Sequence, residues 1–201
     1  MLTAFTRDPE LGNLYLPALA RAISRPGRAT TRPNLREVGI FVAKQHRDGE
    51  LIWASVTHNE RVDAGAAIQA NRVFGTPGTV ANGVFTALAV ANTGFTVKTK
   101  TDLGIGQATG GATVTNEFTT LGLARAAGTV STYTLPGTLG GTFSQLITKQ
   151  FTATGAATAH GAALFDSLTP TGSSIYVEDI FASDGVLATN DILTCQITIS
   201  N

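Results

Sequence analysis

The sequence predicts a mainly β protein: an antiparallel β-sandwich of the jelly-roll or Ig-like kind, preceded by an extended N-terminal arm that holds a short helix and a hairpin. Three observations predict it. The segment Asp191 to Ser200 (DILTCQITIS) alternates strictly, with Leu193, Cys195, Ile197 and Ile199 on one side and Thr194, Gln196, Thr198 and Ser200 on the other. From Gly128 onward, strand-forming runs recur roughly every ten residues with Gly, Pro, Asn or Asp between them, the rhythm of antiparallel strands rather than of βαβ units. Hydrophobic residues make up 43% of the chain but charged residues only 14%, which suits either a surface mostly buried against neighbours or a solvent face built from Thr, Ser and Asn, with Thr well suited to a pleated surface.

The length of 201 residues is enough to bury a core, and the chain divides into three regions: a basic arm over 1–36, a hairpin and linker over 37–79, and the β-sandwich over 80–201. In the arm, Leu11, Leu14, Tyr15, Ala18, Leu19, Ala22 and Ile23 recur at helical spacing, and Pro17 is tolerated if it falls in the first turn. The following SRPGRATTRPNLR has no period and is expected to take order from a partner.

Residues 38–57 read as a hairpin, VGIFVAKQ and ELIWASVT around Asp48-Gly49, with Trp53 as its anchor. Residues 63–74 fit a short helix or an extended link. Val80, Val84, Phe85 and Leu88 permit a helical turn or two, and Phe95 to Asp102 (FTVKTKTD) alternates like a strand. The strands VSTYTL, TFSQLITKQFTAT, GAALFDSL, SIYVEDIF and DILTCQITIS complete the reading.

Net charge is zero, yet it is unevenly placed. Residues 1–36 carry six arginines against two acids, whereas from Phe74 onward four cations oppose seven acids. A basic leader on a mildly acidic body favours contact with protein carboxylates, and Arg21, Arg25, Arg28, Arg32 and Arg36 are the candidate assembly contacts. Nucleic acid is the weaker reading of those arginines, because lysine and interleaved aromatics are missing from the stretch.

Candidate chemistry is sparse. Cys195 is the single cysteine and sits on an apolar strand face, which suits a small buried hydrophobe better than a nucleophile. His46 and His58 flank the hairpin without a third ligand at metal spacing. Gly104-Ile105-Gly106 opens like a phosphate loop, but Thr109 stands where the third glycine belongs and no GK[ST] follows. Glu178 and Asp179 are neighbours on a strand and point to opposite faces, so they cannot act together. His160, Asp166 and Ser167 form the one imaginable triad, with no nucleophile elbow beside it. No catalytic residue, cofactor or metal is expected. Neither a signal peptide nor an apolar run of about 18 residues is visible, so export by a signal and membrane spanning are not expected.

The order NGVFTALAVA, LGIGQATGGATVTNEF, LGLAR, QFTATG, HGAALFD, VEDIF and NDILTCQITIS, over about residues 80–201, resembles a recurring family of tailed-bacteriophage virion proteins. The resemblance implies a non-enzymatic structural protein of the virion, made in the host cytoplasm. Its leading role would be capsid decoration or cement, in contact with the major capsid protein or other virion proteins and with copies of itself as dimers or trimers. A tail, baseplate or fibre-adaptor role is the alternative, and a glycan-binding module on the virion surface is the alternative of another class.

Overall fold

A computed structural model describes residues 38–58, 60–61, 84–99, 101–107, 115–131, 144–170 and 173–200. The expected arm helix, the five arginines from Arg21 to Arg36 and the 63–74 segment lie outside the described residues. Among the described residues the chain is mainly β, in two five-stranded antiparallel sheets.

The expected hairpin is present: β1 (Val38–Arg47) and β2 (Glu50–His58) meet at Asp48 and Gly49, with φ of 52° and 85°. Two successive positive φ values match the right-handed twist of the strands, and an Asp-Gly pair adopts them at low cost. This hairpin is no separate region. β1 runs antiparallel to β10 (Ile192–Ser200) from Val38↔Ser200 to His46↔Ile192, so the 38–58 segment and the C-terminus share one sheet. On the other side of β10 lies β7 (Ser144–Thr152), followed by the short β6 (Thr129–Val130), giving the order β2-β1-β10-β7-β6.

The second sheet has the order β3-β9-β8-β4-β5, with β3 (Glu60–Arg61), β4 (Ala87–Ala91), β5 (Ala126–Ala127), β8 (Ala157–Phe165) and β9 (Ile175–Leu187). Phe41, Ala43, Leu193, Cys195 and Ile197 of the first sheet join Leu88, Val90, Leu164 and Val177 of the second in one hydrophobic cluster. The alternation in DILTCQITIS thus reads correctly: Leu193, Cys195 and Ile197 are fully buried between the sheets. Burying each such aliphatic side chain contributes about 1.5–3 kcal/mol.

Two expectations for the middle of the chain do not hold. Val84 to Leu88 makes no helical turn; it leads into β4, whose five residues are all buried. Leu88 and Val90 face the shared core, while Ala87, Ala89 and Ala91 form a second cluster with Phe95, Ile105 and Phe165. A strand buried on both faces loses its period of two, and its apolar run then mimics a helix. Phe95 to Asp102 is no strand either. Its backbone makes a turn in which Asp102 accepts from Thr99 N–H at 2.7 Å and from the Thr99 hydroxyl at 2.7 Å, and Val97 is exposed. The Asp side chain offers the chain a local alternative to a ladder.

At both lateral edges the chain passes from one sheet into the other. β2 leads through position 59 to β3, which pairs with β9, and β5 leads through Gly128 to β6. A Cβ at Gly128 would stand 2.7 Å from the Ile147 side chain and 3.3 Å from two carbonyl oxygens, so glycine is the residue that lets the corner close.

Candidate functional site

Among the described residues, four groups of interacting ionisable side chains stand out. The first is Arg125 with Glu117, whose side chains are 2% and 1% exposed. Arg125 donates from Nε to Glu117 Oε1 at 2.9 Å and from Nη2 to Oε2 at 2.6 Å, a bidentate pair, and from Nη1 to the Ser167 carbonyl and the Ser173 hydroxyl. Its guanidinium lies 3.6 Å from the Phe165 ring centroid. Arg125 thereby ties the 115–125 segment to the end of β8 and to Ser167 and Ser173 beyond it.

Asp191 anchors the second group. Arg47 donates to both its oxygens at 2.8 Å, Gln45 Nε2 donates at 2.7 Å, and Ala188 N–H donates at 2.7 Å. The Arg47 guanidinium first, then the Ala188 and Gln45 donors, outweigh burial and hold the Asp191 carboxyl well below the usual carboxylate range. Through the same contact Asp191 raises Arg47. The hairpin turn and the β9–β10 turn are fastened together by this carboxylate.

The third group lies around β9. Glu178 is fully buried on the outer face of the second sheet, opposite Ala163, and accepts from Gly106 N–H at 2.9 Å. Its other oxygen, Oε1, has no hydrogen-bond partner, and the Asp102 carboxyl is near enough to act on Glu178. Burial first, and then the Asp102 carboxylate, lift the Glu178 carboxyl to about 9, against smaller opposing effects of Gly106 N–H and Lys98. Asp179 points the other way. Lys98 Nζ pairs with its Oδ1 at 2.6 Å, while its Oδ2 and the Thr57 hydroxyl face one another at the β2–β9 seam. Burial raises the Asp179 carboxyl despite Lys98.

No family model, curated protein or solved structure matches the chain.

The fourth group is at the surface. β9 carries a bulge in which Phe181 to Asp184 stand opposite the single residue His160, between the pairs Ala159↔Gly185 and Gly161↔Ile180. His160 Nδ1 meets Asp184 Oδ1 at 2.5 Å. Beside it Trp53 Nε1 donates to the Ser183 hydroxyl at 3.0 Å, its ring lies over Gly185, and its centroid is 5.5 Å from that of Phe181. Trp53 anchors the hairpin as expected, by fastening it to the bulge.

The triad suggested by the sequence is not assembled. His160 is paired with Asp184, Asp166 accepts from Ser174 N–H, and Ser167 accepts from Thr169 N–H while its carbonyl holds Arg125. His46 and His58 stand at opposite ends of the hairpin, opposite Leu51 and Ile40 respectively. Six residues along β1 put them roughly 20 Å apart at the strand rise, too far for one ion. At the start of the glycine loop Gly106, at φ +57°, offers its N–H to Glu178, so that amide is already engaged by an internal carboxyl. Cys195 is fully buried, and burial pushes its thiol up to about 12.

Sequence reasoning missed Arg125, Glu117 and Asp102. One signal was available for Asp102, the Thr-x-x-Asp spacing of a side-chain-capped turn at 99–102.

Proposed function

We propose that this chain is a non-enzymatic structural protein of a tailed-bacteriophage virion, a decoration or cement protein held on the shell by many weak contacts. The two sheets act as a jelly-roll or Ig-like sandwich, and the basic 1–36 arm, through Arg21, Arg25, Arg28, Arg32 and Arg36, contacts carboxylates on the major capsid protein or a neighbouring copy. The observation that carries the reading is the character of the surface. On a chain with only 14% charged residues, Val84, Val97, Val186 and Leu168 stand 70%, 62%, 66% and 55% exposed. Scattered aliphatic side chains on a Thr-rich surface suit contacts that are individually weak and are multiplied by symmetry. The acids and cations of the two sheets support it from the other side, since Arg125, Glu117, Arg47, Asp191 and Asp179 are engaged in internal pairs.

The test is the copy number of the chain in purified particles, read by quantitative mass spectrometry against the major capsid protein. Hundreds of copies are expected, with loss of occupancy when residues 1–36 are deleted from a chain that still folds. A few to a few dozen copies would move the protein to the tail or a fibre adaptor. Absence from particles would overturn the proposal, and unchanged occupancy of the truncated chain would remove the arm as the anchor.

A further inference from the structure

The outer face of the second sheet is a smooth stripe of small residues, Ala87, Ala89, Ala91, Gly161 and Ala163, and the 95–107 segment is seated over it. Phe95, fully buried, rests on Gly161, where a Cβ would come within 2.7 Å of the ring and 2.5 Å of the Asp179 carbonyl. Ile105, 4% exposed, completes the contact. Beneath this apolar cover lies Glu178, with Asp102 facing it from the same segment.

Two carboxylates facing one another out of water repel, and neither can donate. A single proton changes the arrangement: a protonated Glu178 donates to Asp102 while its second oxygen keeps the Gly106 N–H, and Asp102 keeps both Thr99 donors. The other charged groups around Glu178 are few. Lys98, on the segment itself, is paired with Asp179. Asp179, next along β9, points to the opposite side, and on β3 Glu60 is the register partner of Glu178. Residues 115–118 steady the segment through Asn116 Nδ2 to the Ile105 carbonyl, and their Glu117 is paired with Arg125. From β8 and β4 the neighbours are alanines.

We propose that residues 95–99 and 101–107 form a proton-gated latch: they stay seated on the alanine face while Glu178 is protonated and donates to Asp102, and each opening releases one proton to solvent. Acid holds the latch shut and alkali frees it, uncovering an apolar face formed by Ala87, Ala89, Ala91 and Ala163. The sign follows from linkage. In the open state Glu178 is hydrated and titrates near 4.5, whereas in the closed state it titrates at about 9. Opening therefore becomes about tenfold more favourable per pH unit between those values and levels off above them.

The test is amide hydrogen exchange on the full chain between pH 5 and pH 9, corrected for the intrinsic base-catalysed rate, comparing peptides over 95–107 with peptides over β10. Protection of 95–107 is expected to be lower than that of β10 at every pH and to fall about tenfold per unit. Glu178→Gln keeps the Gly106 and Asp102 bonds without a titrating proton, and its 95–107 protection is expected to be flat. In Asp102→Asn the fall is expected to level off at a lower pH, because a group that raises the Glu178 carboxyl is gone. Fluorescence of Trp53 reports that each variant is folded. The proposal is overturned if E178Q keeps the same slope, or if 95–107 and β10 exchange together at all pH values.

Discussion

The Arg125–Glu117 pair sets up a sharp test of what holds the second sheet to its loops. Arg125→Met keeps an unbranched chain over the Phe165 ring but leaves Glu117, 1% exposed, with both oxygens stripped of their guanidinium donors. An uncompensated buried charge of this kind costs about 3–5 kcal/mol. Glu117→Leu leaves the guanidinium with the Ser167 carbonyl and the Ser173 hydroxyl, so its cost belongs at the lower end, about 3 kcal/mol. The double variant leaves no buried charge at this site. It loses chiefly the bond to the Ser167 carbonyl, about 1 kcal/mol, because Ser173 still donates to the Pro170 carbonyl.

The expected cycle is therefore strongly non-additive, with the double variant several kcal/mol more stable than the sum of the singles predicts. Urea unfolding of the full chain measures it. With slopes of about 1–3 kcal/mol/M, each single variant shifts the midpoint downward by about 1–5 M and the double by about 0.3–1 M. Additive singles, or singles that cost less than about 1 kcal/mol, would show that the pair is screened like a surface bridge and that the clamp is misread.

Two further outcomes are expected. Because Asp191 titrates below its ordinary value in the folded chain, the stability it contributes is complete above about pH 4 and is lost as pH falls toward its folded value; thermal midpoints between pH 2 and pH 6 should drop less steeply for Asp191→Asn, and parallel curves would refute the assignment. Cys195, buried with its thiol lifted to about 12, should resist alkylation by iodoacetamide at pH 8 in the folded chain and react fully in urea, as followed by intact mass.

How much of this was legible in the sequence depends on the range of the interaction. The Asp48-Gly49 turn and the alternation of β10 are encoded within a few residues, and both are found where expected. β4 was obscured because ALAVA is buried on both faces, so side-chain polarity no longer marks the pleat. FTVKTKTD carries an alternation that a local side-chain bond overrides, since Asp102 captures the Thr99 amide three residues before it and turns the chain out of an extended run. The pairs that tie the molecule together join Arg47 to Asp191 and Gly106 to Glu178, 144 and 72 residues apart, and no spacing rule connects such positions. Glu178 and Asp179 were read correctly as pointing apart, but their partners sit in a loop whose path the sequence left open.

The treatment of the sheet edges bears on how copies of this chain could meet. An exposed edge strand offers unpaired N–H and C=O groups to any neighbouring strand, the usual route to uncontrolled association. Here one seam is closed by chain that turns from β2 into β3, with Ala182 N–H donating to the Ser55 hydroxyl, Trp53 reaching Ser183 and Gln45 reaching the Val186 carbonyl. The opposite seam is closed by the turn at Gly128, whose N–H donates to the Thr86 carbonyl at 2.7 Å. With both seams engaged internally among the described residues, strand addition at them is disfavoured, and any contact between copies would fall to faces and loops. On the virion reading this arrangement suits a repeated part, which would associate where Val84, Val97, Leu168 and Val186 project rather than polymerise along its own hydrogen-bonding direction.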